Sequence, residues 1–290
     1  MDAGNKQLGT RLPILPEPSG GEPGGRALSR RSLLRAVAIA PALALAAALP
    51  ALAQEPPLVA AASDLQFALP DIAESFRAET GQVVRLTFGS SGNFARQIRQ
   101  GAPFQLYMSA DEAYVLDLAR DGFTRGEGVL YAVGRIVLIV PHGSPLEPDG
   151  SLDDVAAALD EGRVSRFAIA NPEHAPYGRR AAEALSHKGL WAAIEPHLVF
   201  GENVSQAAQF ATSGSAEGGI VAYSLALSPR VSALGAFALI PQDWHAPLNQ
   251  RMVLLKNAGP AAARFYDYLQ TPAARAIFRE YGFVLPGEGG

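Results

Sequence analysis

The sequence predicts an α/β fold with largely parallel sheets, and three observations carry that reading. From Leu58 onward, short apolar runs alternate with stretches of helical apolar spacing. Most helical stretches open on a capping residue and close on a glycine. Small or polar residues stand where each strand passes into the next helix.

Leu58–Ala61 reads as a buried strand, followed by a helix through Leu65, Leu69, Ile72 and Phe76 that Gly81 stops. Pro70 must kink that helix or mark its true start. Val83–Phe88 is a second strand, and Ser91 opens a helix through Phe94 and Ile98 that ends at Gly101. Leu106–Ser109 is a third strand. Ser109 with Glu112 forms a capping box for a helix through Val115 and Leu118, closed by Gly122. Val129–Val140 is a longer β-rich stretch, broken at Gly134 and stopped by Pro141, placed to carry the chain out of one lobe.

A second series follows. Ser151 and Asp154 cap a helix to Gly162, Phe167–Ala170 is a strand, and a helix runs from about Tyr177 to Lys188. Leu198–Phe200 is a strand, Asn203 with Gln206 caps another helix, and Gly219–Tyr223 is the last strand of the series. The chain then passes through Phe237–Ile240 and Met252–Leu255 into two closing helices, with Pro260 and Pro272 in their first turns. No internal repeat is visible.

The 290 residues are 48% hydrophobic and 18% charged, a globular composition, and there is no cysteine. Disulfides, thiolate metal sites, cysteine nucleophiles and a cysteine-linked lipid anchor are thereby excluded. Residues 1–53 read as an export signal. Arg30-Arg31-Ser32-Leu33-Leu34-Arg35 precedes an Ala/Leu run that ends in Ala51-Leu52-Ala53, and the paired arginines resemble a twin-arginine signal. The run is Ala-rich, broken by Pro41 and Pro50, and short of the roughly 20 residues that span a bilayer. Cleavage is expected near Ala53, with Gln54 the first mature residue. That segment carries a net charge of +3, so the remainder carries −7. An acidic chain without a basic run does not suit nucleic acid.

Four strand-to-helix junctions are the candidate site: Ala62-Ser63-Asp64, Gly89-Ser90-Ser91-Gly92, Pro176-Tyr177-Gly178 and Glu202-Asn203-Val204. Helix starts present unpaired N–H groups and a partial positive charge, to which hydroxyls add further donors. Several such ends meeting in a cleft would make an anion site without lysine or arginine. Ser63, Ser91 and Asn203 each also fit an ordinary helix cap.

Enzyme readings have less behind them. Gly89-Ser90-Ser91-Gly92 is followed by Asn93 where a nucleophile elbow needs glycine. His142, His174, His187, His197 and His245 form no pair with metal-ligand spacing. His174 reads as a solvated loop residue, with a supporting place behind the site as the alternative. Asp153, Asp154, Asp160 and Glu161 lie at helix ends where exposure explains them. Met252, Tyr266 and Tyr268 read as core and helix surface.

Leu58-Val-Ala-Ala-Ala-Ser63, Phe88-Gly-Ser-Ser-Gly-Asn-Phe-Ala-Arg-Gln-Ile98 and Gly101-Ala-Pro103 resemble the periplasmic molybdate-binding components of ABC importers. So do Ser109-Ala-Asp111, Asn171-Pro-Glu-His-Ala-Pro-Tyr-Gly178, Glu202-Asn-Val204, Phe265-Tyr-Asp-Tyr-Leu269 and Ile277-Phe-Arg-Glu-Tyr-Gly-Phe283. The likeness runs over nearly all of residues 57–285.

The resemblance implies a type II periplasmic-binding-protein fold, with two lobes of mixed, mostly parallel sheet and flanking helices and the ligand in the cleft between them. Residues 57–137 with 239–290 would form the first lobe and 138–238 the second. It implies a soluble, monomeric binding protein of the periplasm, without enzymatic activity or cofactor, that delivers molybdate or tungstate to a membrane permease. Ser63 and Ser91 would supply hydroxyl and backbone N–H groups, and Tyr177 and Val204 backbone N–H groups, all to the oxygens of the ion and none to its metal.

Asp64 stands where a related branch has an asparagine on the ligand. Its side chain is expected to turn toward its own helix start, leaving its N–H available. Tyr223 stands one residue after the position, here Ala222, whose tyrosine hydroxyl reaches the ion in another branch; it is an additional candidate, although strand neighbours face opposite ways and would turn it from the cleft. The rival readings are another oxyanion or small organic acid, such as sulfate or a phosphonate, and an enzyme on the same fold. An organic acid calls for an arginine clamp, for which Arg96 and Arg99 are the nearest candidates.

Overall fold

The computed structural model describes residues 55–288; the export-signal reading falls on residues outside this range. Two five-stranded mixed sheets form the cores of two lobes. In the first sheet, β1 (Leu58–Ala62) lies parallel between β2 (Arg85–Gly89) and β3 (Leu106–Ser109). The sheet is completed by β4 (Val129–Gly134) and by β10 (Leu248–Leu254), which runs antiparallel between β3 and β4.

The second sheet has β6 (Phe167–Ala170) parallel to both β7 (Leu198–Gly201) and β8 (Gly218–Ala222). There β5 (Ile136–Pro141) runs antiparallel between β8 and β9 (Gly235–Leu239). The chain crosses between sheets at Arg135 and returns between β9 and β10. Ile136, Val137 and Leu239 pair within the second sheet, so its strands reach slightly beyond the 138–238 span read from the sequence.

Among the described residues, eleven α-helices flank the sheets: α1 (Ala68–Thr80), α2 (Ser91–Arg99), α3 (Glu112–Arg120), α4 (Asp153–Asp160), α5 (Pro176–His187) and α6 (Trp191–Ile194), then α7 (Val204–Thr212), α8 (Tyr223–Ala226), α9 (Pro229–Ser232), α10 (Pro260–Tyr268) and α11 (Pro272–Glu280). None is long and apolar enough to cross a membrane. Strand alternation sorts the first lobe into two layers. Val59, Ala61, Leu106, Met108 and Met252 pack with Phe76, Phe265 and Phe278 of α1, α10 and α11. Ala60, Tyr107 and Val253 face the other way, onto Phe94 and Ile98 of α2 and Val115 and Leu118 of α3. Tyr268 proves to be part of the core rather than helix surface.

Most local signals act as read, with corrections at the ends of elements. Pro70 falls in the first turn of α1 and marks its start; Ser63–Leu65 ahead of it is a separate 3₁₀ turn. Gly81 ends α1 with φ +70°. The cap of α3 is Asp111, whose carboxylate accepts from Ala113 N–H, because Ser109 is still in β3 and its hydroxyl folds onto the Asp111 backbone. At α4 the cap is Asp149, which accepts from Ser151, Asp153 and Asp154 N–H across a left-handed Leu152. Tyr223 belongs to no strand: β8 stops at Ala222 and Tyr223 begins α8.

Gly178 lets α5 sit directly on β6, since a Cβ there would lie 2.0 Å from the Ala170 carbonyl oxygen. The Gly178→Ala variant is expected to lose about 3 kcal/mol of stability in a urea titration, through forced displacement of α5.

Candidate functional site

The parallel strands of both sheets point their carboxyl ends at one hollow between the lobes, where α/β proteins place ligands. Ala62, Ser63 and Asp64 follow β1, Gly89, Ser90 and Ser91 follow β2, and Ala110 follows β3. The second lobe contributes Ala175, Pro176 and Tyr177 ahead of α5, and Val204 at the start of α7. The hollow is small, with a cavity volume of about 10 Å³, far below the roughly 300–1,000 Å³ of pockets for drug-sized ligands.

The four principal residues read from the sequence, Ser63, Ser91, Tyr177 and Val204, all line this hollow. All are buried, none more than 3% exposed. Their local geometry leaves donors free. The hydrogen bonds Phe94 N–H to Ser90, Gly178 N–H to Ala175 and Ala207 N–H to Asn203 open the ladders of α2, α5 and α7. The amides of Ser91, Tyr177 and Val204 therefore lie ahead of any intrahelical acceptor. Asn203 caps α7 as expected, accepting from Ser205 and Gln206 N–H and passing over Val204.

The two serine hydroxyls are set up in the same way. Ser91 Oγ accepts from Ala110 N–H at 3.0 Å, and Ser63 Oγ accepts from Ser205 N–H of the opposite lobe at 3.3 Å. An oxygen that already accepts keeps its own proton to donate. Among the described residues, no lysine, arginine or histidine lines the hollow.

Contacts across the cleft hold the lobes together around it. Gly92 N–H donates to the His174 carbonyl at 2.9 Å, and a Cβ at Gly92 would come within 2.7 Å of that oxygen. His174 is buried rather than solvated: its Nδ1 lies 3.0 Å from Ser90 Oγ and its Nε2 3.6 Å from Glu202. Asn93 donates to Glu202 at 2.6 Å, and Arg179 and Arg180 reach Asp111 at 3.2 and 3.5 Å.

The additional candidates divide. Tyr223 is not among the lining residues; its ring packs edge-on against Phe237. Asp64 does line the hollow, and its side chain reaches across the cleft while staying within the pull of its own backbone N–H. Oδ2 accepts from Tyr177 Oη at 2.9 Å and from Gln250 Nε2 at 2.6 Å, while Oδ1 has no partner. The Tyr177 side chain thus has a structural task that the backbone role carried over from the resemblance did not include. Arg96 and Arg99 are absent from the hollow; Arg96 bonds Asn93 and Arg99 pairs with Asp121.

Gln250 and Tyr131, which donates to Gln250 at 2.6 Å, went unread in the sequence. A signal was available, because alternation along β10 puts Gln250 on the buried face with Leu248 and Met252. A polar residue on such a face calls for a partner.

Burial pushes the Asp64 carboxyl from the usual 3.8 up to about 6, against the opposing pull of the Gln250 and Tyr177 hydrogen bonds and of its own backbone N–H. Burial first, and the Asp64 charge second, raise the Tyr177 hydroxyl well above its ordinary value, so it stays a donor. Because the Asp64 pKa is higher folded than unfolded, the folded state holds more protons between about pH 4 and pH 6. Stability falls as pH rises through that window, by about 3 kcal/mol, and stays reduced above it. Asp64→Asn is therefore expected to raise the thermal midpoint of the ion-free protein by several degrees near pH 8, and by little near pH 4, in calorimetric scans.

Residues 57–284 match the family described as bacterial extracellular solute-binding protein. The molybdate-binding protein ModA of Rhodobacter capsulatus is 40% identical over 254 residues, covering 87% of this chain and 96% of that one. ModA of Escherichia coli (strain K12) is 34% identical over 250 residues, covering 84% and 95%. Among solved structures, the Azotobacter vinelandii periplasmic molybdate-binding protein superposes with a TM-score of 0.71 at 30% identity, covering 79% of this chain and 99% of that chain. With two lobes, a shared hollow and relatives at this identity, the chain belongs to the bacterial extracellular solute-binding proteins and, among them, to the molybdate-binding group.

Proposed function

We propose that the protein captures molybdate, and tungstate with it, in the periplasm and delivers the ion to the membrane permease of an ABC importer. One observation carries the reading: Ser63, Ser91, Tyr177 and Val204, from two lobes, line a single small hollow that contains no cationic side chain. The similarity to molybdate-binding proteins over most of the chain supports the choice of ion.

In this reading the ion is held through its oxygens by first-turn amides and by the hydroxyls of Ser63 and Ser91, and no protein atom bonds the metal. Each bond from a neutral donor to a charged ligand contributes about 1.5–3 kcal/mol. Lobe closure excludes water and strengthens every such contact. Selectivity follows from donor number and cavity size, so molybdate and tungstate compete for one site. Residues 1–53 act as the export signal, cleaved near Ala53, and the mature protein works as a monomer whose second lobe takes in Ile136 to Leu239, with the flanking segments in the first.

A thermal-shift panel of molybdate, tungstate, sulfate, phosphate and a phosphonate is expected to show large stabilisation by the first two alone. Absence of any shift with molybdate in that panel, and of heat in calorimetry, would sink the reading. Ser91→Ala should weaken molybdate binding by about 1–3 kcal/mol, through loss of one donor; unchanged affinity would reduce Ser91 to a helix start. Gly92→Ala should weaken binding at least about tenfold by keeping the lobes apart, with little change in the thermal midpoint of the ion-free protein.

A further inference from the structure

Among the described residues, Asp64 is the only charged one lining the hollow, and its sign is wrong for an anion. Two neutral donors from two elements, Tyr177 on α5 and Gln250 on β10, fix its Oδ2. Tyr131 on β4 donates to Gln250 Oε1, which turns the Gln250 amide nitrogen toward Asp64. Ser224 on α8 donates to the Asp64 backbone carbonyl at 2.8 Å and leaves the side chain alone. Among the described residues, Asp64 Oδ1 is the one buried carboxylate oxygen without a hydrogen-bond partner.

Among the described residues no cationic side chain pairs with this carboxyl, and its own backbone N–H is a neutral donor. The groups packed on it are the hydroxyl of Tyr177 and the amide of Gln250, with Tyr131 behind them. The titratable groups at the rim are His174, which reaches the hollow through Ser90, and Glu202 beside it. A dianion set against an ionised Oδ1 would meet uncompensated repulsion in a site emptied of water. The neutral acid, with its proton on Oδ1, would present one more donor of the kind the other lining groups present.

We propose that Asp64 is a specificity-determining residue which meets the captured ion as the neutral acid, its Oδ1–H donating to one ion oxygen, so that each dianion enters with one proton. The inference rests on the oxyanion reading above. The proton comes from solvent, no bond to the metal is made or broken, and the cleft takes up one net negative charge instead of two. Burial already raises the carboxyl to about 6 without the ion, so near neutral pH the added proton costs little.

Calorimetry of the purified protein with sodium molybdate, in buffers of different ionisation heat near pH 8, counts the protons taken up. The expected result is close to one per ion, with affinity falling up to about tenfold per pH unit between about pH 6.5 and 8.5. In Asp64→Asn the amide can donate from the same position without titrating. That variant should bind with pH-independent affinity, and more tightly than the parent near pH 8. His174→Gln, which removes the titratable group at the rim, should retain the parental slope. No proton uptake by the parent, an unchanged slope in Asp64→Asn, or a slope abolished in His174→Gln would each overturn the proposal while leaving the oxyanion reading intact. Failure of the parent protein to bind molybdate at any pH would end both.

Discussion

The site depends on one electrostatic constraint: helix first turns must end in amides that no helix can satisfy. Three such turns, at Ser91, Tyr177 and Val204, together with the turn at Ser63, meet at one hollow. In the proposed reading, neutral dipoles suit an ion that must later be released, because they hold charge without the deep well of a fixed counter-ion. They act only when water is excluded, which makes lobe closure part of the binding chemistry and not an accessory to it.

Closure is built from the same segments that line the hollow. Gly92 follows Ser91 and bonds the His174 carbonyl, while Ser205 follows Val204 and bonds Ser63. Asp111 follows Ala110 and takes Arg179 and Arg180, two and three residues beyond Tyr177. Lining residues and lobe contacts thus alternate along short stretches of chain, so in the proposed reading placing the ion and shutting the cleft are one geometric event. The arginines of α5 are held by carboxylates outside the hollow, which keeps the interior free of cations.

The crossing segments carry the other half of the design. Gln250, on the strand that returns to the first lobe, and Tyr177, at the head of a second-lobe helix, converge on Asp64. Gly134, at the end of β4, has no side chain because a Cβ there would lie 2.3 Å from Tyr177 Oη. A buried polar network of this kind is stable only when each member is satisfied, and Asp64 Oδ1 is the member left open.

Local chemistry was enough to determine the order of strands and helices, the glycine stops at Gly81 and Gly122, the first-turn prolines of α10 and α11 and the Asn203 cap, because each depends on a few neighbouring residues. The identity of the four principal hollow residues came from junction chemistry joined to the family resemblance. What only the tertiary structure decided was convergence and partnership. His174 became buried because the opposite lobe covers it, and the Asp64 side chain turned to Tyr177 and Gln250, 113 and 186 residues away in the chain. Tyr223, at the start of α8, packs edge-on against Phe237 from a different part of the chain and does not line the hollow. Caps and turns are set by interactions over a few residues, whereas the state of a buried charge is set by whatever the fold brings against it, and no stretch of sequence contains that information by itself.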